Sequence, residues 1–137
     1  MCRIISSTIL ILFMFFAVDF VVHGILLAAP YMEFQQLWRP MSEMKNLEMQ
    51  FVNLGIALGV TWLYKYFVKR KSALTGTKFG LLLGIVSGLG GGFGSFTYMP
   101  ISLGLAFGWF FALTIKMTFA GLIVGLIIKK CDKTGNC

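Results

Sequence analysis

The chain has 137 residues, of which 58% are hydrophobic and only 12% charged, with a formal net charge of +7. A soluble domain carries roughly 25% charged residues, so this composition excludes an ordinary water-exposed globule and points to a chain that lives in lipid. The basic residues flank apolar runs, so they read as topology signals and contacts for anionic headgroups; a nucleic-acid partner is not needed to explain them.

The first apolar run, Ile4 to Ala29, is broken only by small hydroxyl residues, Asp19 and His23. Its LLAAP ending resembles a cleavage site, but the run exceeds the roughly 7–15 apolar residues of a signal peptide, so a retained span over about 4–29 is expected. An outer loop over 30–47 follows. It brings Tyr31, Phe34 and Trp38 to an interface where amphipathic aromatics settle. Trp38, Arg39 and Glu43 are its candidate contacts, either as an interfacial anchor or as a ligand-facing lid.

The second run gives a span over about 48–68, with Asn53 near its outer end. The link after it is basic, with Lys65, Lys69, Arg70, Lys71 and Lys78 around a loop over 69–75. Spans over about 76–96 and 101–128 complete the chain, each near the roughly 20 residues that cross about 30 Å of hydrocarbon. The final tail adds Lys129, Lys130 and Lys133. Short basic loops stay on the cytoplasmic side, so both termini and the middle loop are expected there. The expected architecture is an all-α, polytopic four-helix membrane bundle forming one domain.

The third span places Gly76, Gly80, Gly84, Gly88 and Gly92 four residues apart. A phosphate-binding loop would end in Gly-Lys-Ser/Thr, and a dinucleotide fingerprint would need a preceding strand; neither accompanies these glycines. Bulky Leu81, Leu82, Leu83 and Ile85 fill the gaps, which excludes a flexible linker. What remains is a small-residue helix face for close approach of another helix. Gly55 and Gly59 repeat the spacing on the second span, and Gly104 and Gly108 continue it with Ala112, Lys116 and Ala120 on the fourth, with Gly121 and Gly125 on an adjacent stripe. Such faces serve packing within one bundle, contact between subunits, or the lining of a narrow cavity. The crowding of glycine from Gly88 to Gly94 weakens a helix and marks a possible break at the outer end of the third span.

Ionisable groups inside spans are the strongest functional candidates, because a charge in hydrocarbon costs at least about 2.5–3.5 kcal/mol and needs a partner or a cavity. Asp19 and His23 share a face of the first span, and Lys116 lies near the middle of the fourth, within reach of Asp19 if those spans are neighbours. Asn53 adds a further polar group or sits at the interface. The set reads either as a buried salt bridge with a satisfied histidine or as a proton or ion relay.

Enzymatic chemistry finds little support. A single histidine excludes paired axial haem ligands and a multi-histidine metal site, so no cofactor or metal is expected. Cys2, Cys131 and Cys137 lie at chain ends assigned to a reducing compartment.

The stretch HGILLAAPYMEFQQLWRPMSEM, carrying His23, Gly24, Leu37 to Pro40, Glu43 and Met44 ahead of glycine-rich spans, resembles small four-span bacterial integral membrane proteins with no assigned activity. The resemblance covers the first 50 or so residues and implies an inner-membrane location. In size and span number the chain is also similar to small multidrug transporters, which carry an acidic residue in the first span and work as dimers. Asp19 lies deeper than that family's glutamate, and the family's aromatic cavity pattern is not evident. The functional expectation is transport of a proton, ion or small solute by an oligomer in contact with membrane lipids; the rival is an accessory subunit docked on a larger membrane protein.

Overall fold

The computed structural model describes residues 2–128 and is helical throughout, with no strand among them. The basic tail residues Lys129, Lys130 and Lys133, and with them Cys131 and Cys137, lie outside the described residues. Helix α1 (Cys2–Val21) runs on through a π-turn, Val22–Leu26, and a short α2 (Ala28–Glu33) follows. After two 3-10 turns, α3 (Asn46–Phe67) returns. Helix α4 (Ala73–Gly88) continues through the π-turn Leu89–Gly94 into α5 (Ser95–Tyr98), and α6 (Leu103–Ile127) closes the fold.

Three helical stretches are long and apolar enough to cross a membrane: Cys2–Leu26, Ala73–Tyr98 and Leu103–Ile127. Helix α3 is helical over 22 residues but is not one of the three. Asn46, Glu48, Gln50, Asn53 and Lys65 dilute its apolar content. Three of the four expected spans thus meet the length and apolarity of a membrane crossing, and α3 is a more polar helix packed beside them.

The glycine-rich end of the third span is not broken. Gly88 and Gly94 keep ordinary right-handed helical angles, and the chain absorbs the crowding as a wide π-turn before α5. The reason lies in the partner: a Cβ at Gly92 would stand 2.5 Å from the Ala106 carbonyl oxygen and 2.9 Å from the Phe110 nitrogen of α6. Contact with α6 along the whole stripe holds a sequence that would fray alone.

That contact defines the tightest pair in the fold. A Cβ at Gly76 would meet the Gly121 carbonyl oxygen, and one at Gly80 the Met117 carbonyl oxygen. At Gly84 it would stand 2.7 Å from Thr114 Cα, and at Gly88 2.8 Å from the Phe110 carbonyl oxygen. These are backbone-to-backbone approaches that only small residues allow, the means by which helices associate where lipid offers no hydrophobic drive. The Thr114 hydroxyl crosses the seam, donating at 3.3 Å to the Gly84 carbonyl as well as at 2.8 Å to Phe110 in its own helix.

The facing stripe of α6 is the adjacent one that holds Gly121 and Gly125, not that of Gly104 and Gly108. It runs through Ala106, Phe110, Thr114, Met117, Gly121 and Gly125. A Cβ on Gly104 would approach only Ser102 Oγ, at 3.9 Å, and Gly108 faces the Leu27 side chain rather than α4. Gly55 and Gly59 face open space, so α3 shares the spacing without the contact. Spacing alone does not fix which face meets a neighbour: Lys116, on the stripe of Gly104 and Gly108, turns toward α1.

The remaining core lies between α1, α3 and α6. Ile11, Phe15, Ala57, Val60, Tyr64, Met117, Ala120 and Val124 are all buried there. The turn from α3 to α4 is fastened by polar contacts. Lys71 Nζ donates to the carbonyls of Tyr64, Lys65 and Val68 at 3.1, 2.7 and 2.8 Å at the α3 C-terminus, where the Tyr64 carbonyl also accepts from the Val68 N–H at 3.3 Å. The Tyr64 hydroxyl donates to the Ser72 carbonyl at 3.0 Å and lies 3.1 Å from the Ser72 N–H as its acceptor. Ser72 then caps α4 by accepting from the Thr75 N–H at 3.1 Å.

Candidate functional site: a polar centre between three helices

Asp19, Asn53 and Lys116 come from α1, α3 and α6 and meet at one point. Lys116 Nζ donates to Asp19 Oδ1 and Oδ2 at 2.8 and 2.7 Å, and to Asn53 Oδ1 at 3.1 Å. Asn53 Nδ2 closes the triangle by donating to Asp19 Oδ2 at 3.2 Å. All three ammonium hydrogens thus have acceptors, and the remaining face of the ammonium lies 4.4 Å from the centroid of the Phe15 ring.

The local reasons are plain. Lys116 sits midway along α6, is itself buried, and reaches Asp19 of α1. Asp19 lies one helical turn beyond buried Phe15 on the same face of α1. Asn53, expected either as a further polar group of this centre or at the interface, is only 3% exposed, and its amide supplies both a donor and an acceptor to the ion pair.

Burial is uneven across the pair. The Lys116 side chain is 9% exposed and that of Asp19 28% exposed. Asp19 is therefore the more exposed member of the pair.

His23 does not join this centre. One turn further along, its Nδ1 meets the Tyr31 hydroxyl, which also accepts from Trp109 Nε1 at 2.7 Å. Trp38 folds back and donates its indole N–H to the Tyr31 carbonyl at 3.2 Å. Its ring meets Tyr31 edge-on with centroids 5.4 Å apart and Trp109 at 6.0 Å. A second polar cluster, His23–Tyr31–Trp109, so sits beside the first, on the side of the 27–45 connection. Because Trp109 is donor-only, the Tyr31 oxygen is its acceptor, and the imidazole tautomer sets which of His23 Nδ1 and the Tyr31 hydroxyl donates to the other. Burial is the main cause that pushes the Tyr31 phenol above its ordinary value; Asp19 adds to it and the Trp109 bond opposes it.

Of the outer-loop candidates, Trp38 belongs to this cluster, while Arg39 and Glu43 are exposed. Among the described residues the ion pairs are Lys116–Asp19 and the exposed Lys45–Glu48, and no group of three His, Cys, Asp or Glu could hold a metal ion.

Sequence reasoning missed Trp109 and Phe15. A signal for Trp109 existed: it lies seven residues, two turns, before Lys116 on α6, as His23 lies one turn after Asp19 on an antiparallel helix. Compared with protein-family models, with curated proteins and with solved structures, the chain matches none.

Proposed function

We propose that this is a multi-pass membrane protein that moves a proton, an ion or a small solute, with Asp19 as the exchanging group and Lys116 as its counter-charge. The observation that carries the reading is the uneven burial of the pair: the Asp19 side chain is 28% exposed while that of its partner is 9% exposed. A group held in hydrocarbon as an ion pair changes its pairing when it takes up a proton or a cation, which is the elementary event of coupled transport. In this reading α3 crosses as a fourth span, Asn53 and Lys116 being matched to Asp19 at one depth. The basic α3–α4 turn and both termini face the cytoplasm of a bacterial cell, and copies of the chain associate in the inner membrane.

One observation favours a second reading, an accessory subunit of a larger membrane complex. The three donors of Lys116 are already saturated within the chain, as a purely structural pin would require. Reconstitution into liposomes with a trapped pH indicator, under an imposed potential, separates the two. Transport requires flux above that of empty liposomes, lost in Asp19→Asn with the fold intact. Flux equal to that of empty liposomes, with a stoichiometric foreign subunit retained in native mass spectrometry, overturns it in favour of the accessory role.

A further inference from the structure

The buried face of α1 is ordered along its length. Near the N-terminal end it carries Ser7 and Thr8, 0% and 4% exposed. Among the described residues the Thr8 hydroxyl and the Nη1 of Arg3 are buried with no hydrogen-bond partner. Then come Ile11 and Phe15, each 0% exposed. Beyond them stand Asp19 with Lys116 and Asn53, and one turn further His23 with Tyr31. The sequence along the face is polar, dry, polar.

The dry stretch separates the two polar ends. Ile11 and Phe15 offer no group that accepts or donates a proton, and the Phe15 ring lies directly against the Lys116 ammonium. In the other direction the spacing is short. His23 follows Asp19 by one turn, about 6 Å between Cβ atoms, and is bonded to Tyr31 through Nδ1. The groups facing Asp19 are Lys116 from α6, the uncharged Asn53 from α3, and His23 from its own helix.

We infer that the species exchanged at Asp19 is a proton, and that it enters and leaves on the side of the 27–45 connection through His23 and Tyr31, with Ile11 and Phe15 barring the opposite side. The inference rests on the reading of Asp19 as the exchanging group. For an outgoing proton, the relay starts from the tautomer whose Nδ1–H donates to the Tyr31 oxygen; the Asp19 carboxyl O–H gives its proton to the free His23 Nε2, and the imidazole then carries two. The Nδ1–H proton passes to the Tyr31 oxygen as the phenolic proton leaves to water, so one proton is lost overall. Asp19 is left as the carboxylate opposite Lys116. Because all three Lys116 hydrogens are bonded, it holds the charge balance and has no free hydrogen to offer a cargo.

The test uses the full chain in liposomes whose lumen and exterior are set to different pH, with orientation scored by impermeant labelling of exposed Lys45 on the 27–45 side. The readout is the infrared carbonyl band of protonated Asp19, isolated as the difference between the wild-type chain and Asp19→Asn. The band is expected to follow the pH of the 27–45 side alone. Tyr31→Phe and His23→Leu lose that response, and Phe15→Ala adds a response to the opposite side. Should His23→Leu fail to assemble, the milder Tyr31→Phe carries the test. A band that follows the opposite side, that keeps its response in Tyr31→Phe, or that appears at no pH overturns the inference. A band that follows the 27–45 side without net flux upholds it while sinking the transport reading; flux with a band that follows the opposite side does the reverse.

Discussion

Lys116 of α6 holds both carboxylate oxygens of Asp19, 97 positions away in α1, at 2.8 and 2.7 Å. The pair ties the helix that packs on the glycine stripe to the helix that does not. Removing one partner of a buried pair leaves the other charge uncompensated, which costs about 3–5 kcal/mol when burial is complete and less for the more exposed Asp19. Lys116→Met and Asp19→Asn are therefore each expected to destabilise the chain. The double variant should lie closer to wild type than the sum, with a coupling of about 0.5–3 kcal/mol. Unfolding in mixed micelles, followed by circular dichroism across the four-member cycle, measures it; strict additivity would show that the contact carries no net energy.

The glycine stripe makes a sharper positional prediction. At Gly80 a Cβ would run into the Met117 carbonyl oxygen and Gly121 Cα, and neither can yield without moving a helix. Gly80→Ala is expected to cost about 1–3 kcal/mol, as overpacking does. Gly59→Ala, which meets nothing within 4 Å, should instead gain about 0.5–1 kcal/mol from the helix propensity of alanine. Thermal unfolding of the two variants side by side checks the pair. Equal effects would mean that α4 and α6 are not in backbone contact.

The contrast between those glycines shows what the sequence could and could not carry. Periodicity at four residues marks a face of small residues on α4, and the same rule marks Gly55, Gly59 and Gly104, which face open space or their own chain neighbourhood. Spacing locates a face; only the arrangement of helices decides what that face meets. Asp19 and Lys116 were legible as a pair because an ionisable group in an apolar run demands a partner. Asn53 was harder to read: an amide carries no charge, and its depth depends on how far α3 extends below its polar start at Asn46. The separation of His23 from Asp19 follows from Tyr31 and Trp109, which lie 78 positions apart, a distance that local pattern does not bridge.

At the α3–α4 turn, burial first and the neighbouring Lys65 charge second push the Lys71 amine below the ordinary lysine value of 10.5. The native chain thus binds this proton less tightly than the unfolded chain. Stability from this group rises as pH climbs from the native pKa of Lys71 to 10.5, and the rise is absent below that window. Unfolding of the wild-type chain and of Lys71→Met, compared between neutral and strongly alkaline pH, isolates the contribution by difference. The wild type should gain on Lys71→Met with rising pH, and Lys65→Gln should shrink that gain. At neutral pH Lys71→Met should still be the less stable chain, because the Lys65 and Val68 carbonyls lose the ammonium donor and Tyr64 keeps only the Val68 N–H.

The Tyr31 hydroxyl stands between His23 Nδ1 and Trp109 Nε1, so its removal orphans a donor and a ring nitrogen together. Tyr31→Phe keeps the ring that meets Trp38 and Trp109, and deletes only the oxygen. A loss of about 1–3 kcal/mol is expected, the usual penalty for leaving a partly buried polar group unmatched. The indole of Trp109 would then seek water, and its fluorescence should shift to the red relative to wild type, while Tyr98→Phe, at an exposed residue, leaves the emission unchanged. The same variant tests the ionisation state. Burial raises the phenol of Tyr31 above 10.0, so the tyrosinate absorbance of the wild-type chain should include one late-titrating phenol that Tyr31→Phe lacks. If the two chains titrate alike up to strongly alkaline pH apart from one ordinary tyrosine, the hydroxyl is open to solvent and the His23–Tyr31–Trp109 cluster is not closed.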